Sequence, residues 1–231
     1  MRFLAALFLL ASTASAQPLA PDPLPDDVRQ RLQAQLTLMM EADQRVRYMD
    51  MAGTLSPCVA DSIGRAVRGE TVEESIALSE AVRAEAAART TPAEREAILR
   101  LMRHTDAVNL AQLRAIVAEH GWPSSERTGS DVEPVVFLLH NPHMMGEMRE
   151  ALLAEVRAGR LPARQYAMAE DKARRVRGEH QLYGTGGEYD PATGTIGPPT
   201  VESIEATNTA RAVIGLEPLA EYRIAAPEAA E

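Results

Sequence analysis

Apolar residues recur at helical spacing along most of the chain, and proline, glycine and capping residues cut that pattern into separate segments. Val28, Leu32, Leu36, Met39 and Val46 form one stripe on a long amphipathic helix, which ends near Met51 before the break from Gly53 to Pro57. Thr71 with Glu74, and Thr91 with Pro92 and Glu94, have the pattern of capping boxes: a hydroxyl satisfies an early backbone N–H while the glutamate reaches back. They predict helices over about 72–89 and 92–103. Another helix is expected after Thr105-Asp106, carried by Val108, Leu113, Ile116 and Val117 and stopped by His120-Gly121-Trp122-Pro123, with Trp122 folding back on the core.

Val135 to Leu139 is the most apolar run after the amino terminus and reads as a buried helix, with a five-residue buried strand as the alternative. Asn141-Pro142 restarts the chain toward a helix from Met144 to Ala158, and Pro162 begins another that Gly178 closes. Residues 179–199 are rich in glycine and proline, which predicts a loop with a small hairpin. Thr200 to Ile214 reads as a last helix, followed by an Ala/Glu tail. The expected fold is mainly α, a compact multi-helix domain with a small β-hairpin or irregular loop near 180–197.

The amino terminus has a different pattern. Arg2, the apolar run Phe3 to Ala11 and Ala14-Ser15-Ala16 make up a secretory signal over residues 1–16, and the proline-dense stretch 17–25 reads as an extended tether. Residues 26–104 then form an amino-terminal helical layer, 105–222 a second helical domain and 223–231 a fraying tail. An exported protein, periplasmic or extracellular, is the expectation, with no transmembrane span in the mature chain.

Composition narrows the chemistry. The 231 residues are 45% hydrophobic and 25% charged with a formal charge of −9, a balance that gives nucleic acid no electrostatic footprint. Cys58 is the single cysteine, so no internal disulfide forms, and the thiol reads as a small buried hydrophobe. Ser124, Ser125 and Ser130 lie in no nucleophile-elbow pattern. Among the histidines, His140 and His143 have helical spacing, but Pro142 places them in different elements, and no metal or cofactor is expected. His140 is the candidate proton carrier, with Asp171 as the carboxylate that would orient it. The glycine-rich segment 178–187 lacks the lysine and helix start of a phosphate loop, and offers Gln181, Tyr183 and Thr185 as neutral hydrogen-bonding groups.

The order of Asn109-Leu110, Leu113, Ile116, Gly121-Trp122-Pro123, Gly129, the apolar run into His140, Asp171 and Gln181-Leu182-Tyr183-Gly184-Thr185 resembles a family of uncharacterised bacterial proteins, a domain of unknown function, over roughly residues 105–222. The resemblance implies a polar pocket to which His140, Asp171, Gln181, Tyr183 and Thr185 contribute. Leu139, Pro142, Lys172 and Gly186 depart from the family pattern, where Gln, an acid, Arg and Gln are usual. Lys172 keeps a charge for ligand binding but lacks the planar bidentate fork of arginine.

Three functions follow as expectations. The first is a non-enzymatic exported module that binds a small polar ligand or a protein partner through the surface near His140, Asp171 and the 180–187 loop. The second is a hydrolase-like enzyme with His140 as general base, Asp171 as orienter and Gln181, Tyr183 or Thr185 holding substrate. The third is an envelope structural protein using the long amino-terminal amphipathic helix.

Overall fold

The computed structural model describes residues 22–219 other than Arg68, Glu188, Pro191 and Gly194. The expected signal sequence, residues 17–21 of the tether and the tail from Ala220 lie outside the described residues. The fold is mainly α. Helix α1 (Asp26–Ala52) starts after Pro25, carries Asp26 and Asp27 in its first turn where the helix dipole favours acids, and stops at Gly53 in the left-handed conformation. Helix α2 (Pro57–Ala66) follows in a stretch where no helix was expected: Pro57 opens it, and its buried residues are Ala60 and Gly64.

Helices α3 (Val72–Arg89) and α4 (Pro92–His120) both begin with complete capping boxes. Thr71 Oγ1 accepts from Glu74 N at 3.1 Å and Thr91 Oγ1 from Glu94 N at 3.3 Å, while each glutamate accepts from the threonine N–H. Contrary to the expected restart at Thr105-Asp106, α4 runs unbroken to His120. The polar residues here tie α4 to α1 instead of capping a helix: Asp106 reaches Arg47, and Asn109 Nδ2 donates to Met39 O at 3.2 Å. The expected division between residues 104 and 105 therefore falls inside one helix.

The chain then turns at Gly121, whose φ of 74° and ψ of −173° belong to a region that only glycine enters readily. A Cβ there would lie 2.5 Å from Arg160 Nε and 2.9 Å from Glu155 Oε2. Beyond the turn come α5 (Ser125–Thr128), α6 (Val135–His140), a 3-10 turn (Pro142–Met144), α7 (Met145–Arg157) and α8 (Ala163–Val176). The apolar run 135–139 is thus helical, not a strand. Strands β1 (Tyr189–Asp190) and β2 (Thr195–Ile196) pair antiparallel in the expected hairpin. Helix α9 (Ile204–Val213) begins four residues later than the pattern suggested, because Val201 makes a parallel bridge with Gln181 and Ser203 is the cap, its Oγ accepting from Ala206 N at 3.1 Å.

Helix α1 packs along α4 and against α2 and α3, while α6, the 3-10 turn and α7 pack on α8. One core runs through most of this assembly, joining Leu32, Leu36 and Met39 of α1 to Leu113, Trp122, Phe137 and Tyr166. A satellite cluster of Met49, Ala60 and Ile98 fixes the far end of α1 against α2 and α4. Cys58 is exposed, not buried as its residue type suggested: it is the second residue of α2, which turns Ala60 and Gly64 inward in its place. Among the described residues no helix is long and apolar enough to cross a membrane.

The turn between α4 and α5 is held by charge. Glu155 accepts from Trp122 N at 2.7 Å and from Arg160 Nε and Nη2 at 2.6 and 2.8 Å, while Arg127 donates to the carbonyls of His120 and Trp122. Burial raises the Glu155 pKa, but the bonds from Arg160 and Trp122 and the charges of Arg160 and Arg127 outweigh it and hold the carboxyl below its ordinary value. A lowered folded-state pKa contributes stability above the unfolded value, and that contribution disappears as pH falls through the folded value. Urea denaturation below about pH 4.3, the ordinary glutamate value, should therefore show wild type losing stability more steeply with falling pH than Glu155→Gln. Equal slopes would remove Glu155 as an acid-sensitive staple.

Candidate functional site

His140 is the last residue of α6, and the helix stops there because Asn141 precedes Pro142 and takes up φ −127°, ψ 61°. Its ring turns toward α1. His140 Nδ1 lies 2.8 Å from Oδ2 and 3.0 Å from Oδ1 of Asp43, whose side chain is 1% exposed. An ionised carboxylate only accepts, so Nδ1 carries the proton and donates it, which leaves Nε2 as the acceptor of the neutral ring. Asp43 also receives Gln44 Nε2 at 3.1 Å and Arg47 Nη2 at 3.4 Å. The same Arg47 nitrogen bonds Asp106 of α4, while Asn141 Nδ2 donates to Phe137 O at 3.1 Å. Burial raises the Asp106 pKa, the Asp43 charge adds to the rise, and Arg47 opposes it.

His140 and Asp106 line an open cleft of about 510 Å³ between α4 and the α6 to α7 connection, with Ala107, Leu110 and Met144 as its apolar wall. Arg103 and Arg114 also line it. Arg114 pairs with Glu147, and Arg103 Nη2 with Glu96 at 3.0 Å. His143, in the 3-10 turn, belongs to a different element from His140, as Pro142 indicated, yet both residues line this cleft. Among the described residues no group of three or more His, Cys, Asp or Glu is arranged to hold a metal ion.

Asp171 has another task. Its side chain is buried in α8, where Oδ1 accepts from Leu182 N at 2.7 Å and Tyr183 N at 2.9 Å, and Oδ2 from Thr185 N at 2.9 Å and Thr185 Oγ1 at 2.8 Å. Four donors occupy both oxygens, and the carboxylate that bonds His140 is Asp43. The expectation that Asp171 orients His140 is corrected accordingly.

The proposed pocket wall is also a self-contained knot. Gln181 Nε2 donates to Gly186 O at 2.6 Å, and Gly186 N donates back to Gln181 Oε1 at 3.0 Å. Tyr183 is buried edge-on against Tyr166 with ring centroids 6.1 Å apart, and Arg211 Nη1 donates to its carbonyl at 2.7 Å. Burial pushes both phenols above the ordinary tyrosine value. Gln181 thus uses its amide inside the loop and Thr185 its hydroxyl on Asp171 of α8, and neither they, nor buried Tyr183, nor half-buried Lys172 line the His140 cleft. The sequence reading missed Asp43, Arg47 and Asp106. A signal for Asp43 existed: it occupies the one vacant place in the stripe Leu32, Leu36, Met39 and Val46.

Comparison of the chain with protein-family models, with curated proteins and with solved structures finds no match. What the site does is therefore argued from its own geometry. For Asp171 that geometry predicts a structural cost: Asp171→Asn replaces an acceptor-only group with an amide that must turn a donor toward one of the four N–H or O–H groups. Loss of about 3 kcal/mol of stability is expected, with hydrogen-exchange protection lost first at Leu182, Tyr183 and Thr185. An unchanged protection pattern would contradict this role.

Proposed function

We propose that the protein is an exported, non-enzymatic helical module that binds a small polar ligand in the cleft around His140. The observation that supports this reading is a ring nitrogen fixed by a buried carboxylate on a residue, His140, that lines an open cleft. Holding a ring in one orientation before the ligand arrives lowers the entropy cost of binding. A cavity of about 510 Å³ is in the size range of small-molecule sites, and its wall offers apolar surface beside a few polar groups. Export rests on the amino-terminal signal pattern alone.

A second reading is supported by Asp106. A carboxyl with a raised pKa on the same cleft as a carboxylate-held imidazole is an arrangement suited to acid–base chemistry, with His140 as base and Asp43, not Asp171, as the positioning residue.

A thermal-shift survey with a panel of small polar metabolites tests the binding reading. A ligand present at a hundredfold excess over its Kd stabilises by about 2.7 kcal/mol, roughly 5–10 °C for a chain of this size. That shift should disappear in His140→Gln and persist in Lys172→Gln. A compound that stabilises wild type and His140→Gln equally would move the site elsewhere, and the absence of any shift would end this reading.

A further inference from the structure

Helix α8 carries two half-buried cations that nothing in the described residues uses. Lys172 and Arg175 lie three positions apart, on one face of the helix. Their basic neighbours are paired: Arg174 bonds His180 O at 2.7 Å and lies 3.4 Å from Glu179, and Arg177 holds Glu179 through Nε and Nη2. Lys172 and Arg175 have no hydrogen bond or ion pair to any described residue, and Arg175 Nε is buried without a partner. The Arg175 guanidinium lies over Gly186, with Nη2 3.7 Å and Cζ 3.9 Å from the point that a Cβ there would occupy.

The acceptors nearby are already taken. Gln181 Oε1 receives Gly186 N, Asp171 receives the four donors of the 182–185 loop, and Glu170 takes both ends of the Arg149 fork. The helix dipole favours a cation at this end of α8, but it supplies no acceptor to Arg175 Nε. A buried donor left without an acceptor is costly and is uncommon in folded proteins, and an absent ion is one of its ordinary explanations.

We propose that Arg175 and Lys172 form an oxyanion site beside the 181–187 loop, and that its ligand carries a carboxylate or a phosphate group. Arg175 supplies the planar fork that matches two oxygens of such a group, and Lys172 supplies a second positive charge. Gly186 places no side chain over the guanidinium. Neither cation lines the His140 cleft, so this site does not rest on the reading of that cleft.

Proton–nitrogen NMR of the purified full chain, titrated at constant ionic strength with inorganic phosphate, acetate or chloride, tests the proposal. The Arg175 Nε–H and Gly186 amide signals should shift saturably with phosphate, acetate or both, with a Kd of about 1–10 mM, while chloride leaves them in place. A response to phosphate alone assigns a phosphate group, and a response to acetate alone a carboxylate. Arg175→Lys, read at the Gly186 amide, should weaken binding by about tenfold and Lys172→Gln by about threefold, with circular dichroism checking that both fold. His140→Gln should bind the anion as wild type does. Shifts that stay linear, shifts that chloride reproduces, or binding unchanged in Arg175→Lys each overturn the proposal. A response lost in His140→Gln and kept in Arg175→Lys would also overturn it, by placing the anion in the cleft.

Discussion

The cleft and the docking of α1 depend on one buried charge. Asp43 stands in the apolar stripe of α1 with 1% of its side chain exposed, where an ionised carboxylate is costly unless every partner is in place. The partners come from α1 itself, through Gln44 and Arg47, and from α6, through His140, while Arg47 extends the network to α4. The carboxylate therefore fixes how α1 sits relative to α4 and α6. A leucine in its place would complete the stripe without desolvating a charge. What the carboxylate supplies, and leucine does not, is an imidazole held in one orientation.

Other buried carboxylates show by contrast why this one is read as functional. Asp171 gives its acceptors to the backbone and hydroxyl of the 182–185 loop, Glu155 to Trp122 N–H and Arg160, and Glu170 to both ends of the Arg149 fork. Each ties one stretch of chain to another and ends there. Asp43 alone among these passes its interaction to an imidazole ring that lines an open cleft.

Features fixed by local chemistry were legible in the sequence. The capping boxes at Thr71 and Thr91, the stop at Gly121 and the helical character of Val135 to Leu139 depend on residues within one or two turns, and the structure has them where the pattern put them. Helix α2 was not read from the sequence, and the continuity of α4 was hidden because Thr105-Asp106 has the composition of a helix start. The site divides the same way. His140 was visible as a ring at the end of an apolar run, but its carboxylate lies 97 positions away on another helix, and only the misplaced acid in the α1 stripe marked it. Asp171 with Gln181, Tyr183 and Thr185 was visible as a polar group; that its members satisfy one another instead of a ligand follows from hydrogen-bond geometry that spacing does not encode.

The central claim, that Asp43 holds the cleft residue His140 with its proton on Nδ1, is tested most directly by a long-range proton–nitrogen NMR spectrum of the histidine rings at neutral pH. The account predicts a neutral His140 ring protonated at Nδ1, converted in Asp43→Asn to a ring with mixed tautomers. A wild-type ring protonated at Nε2, or one whose tautomer is unaffected by Asp43→Asn, would contradict it.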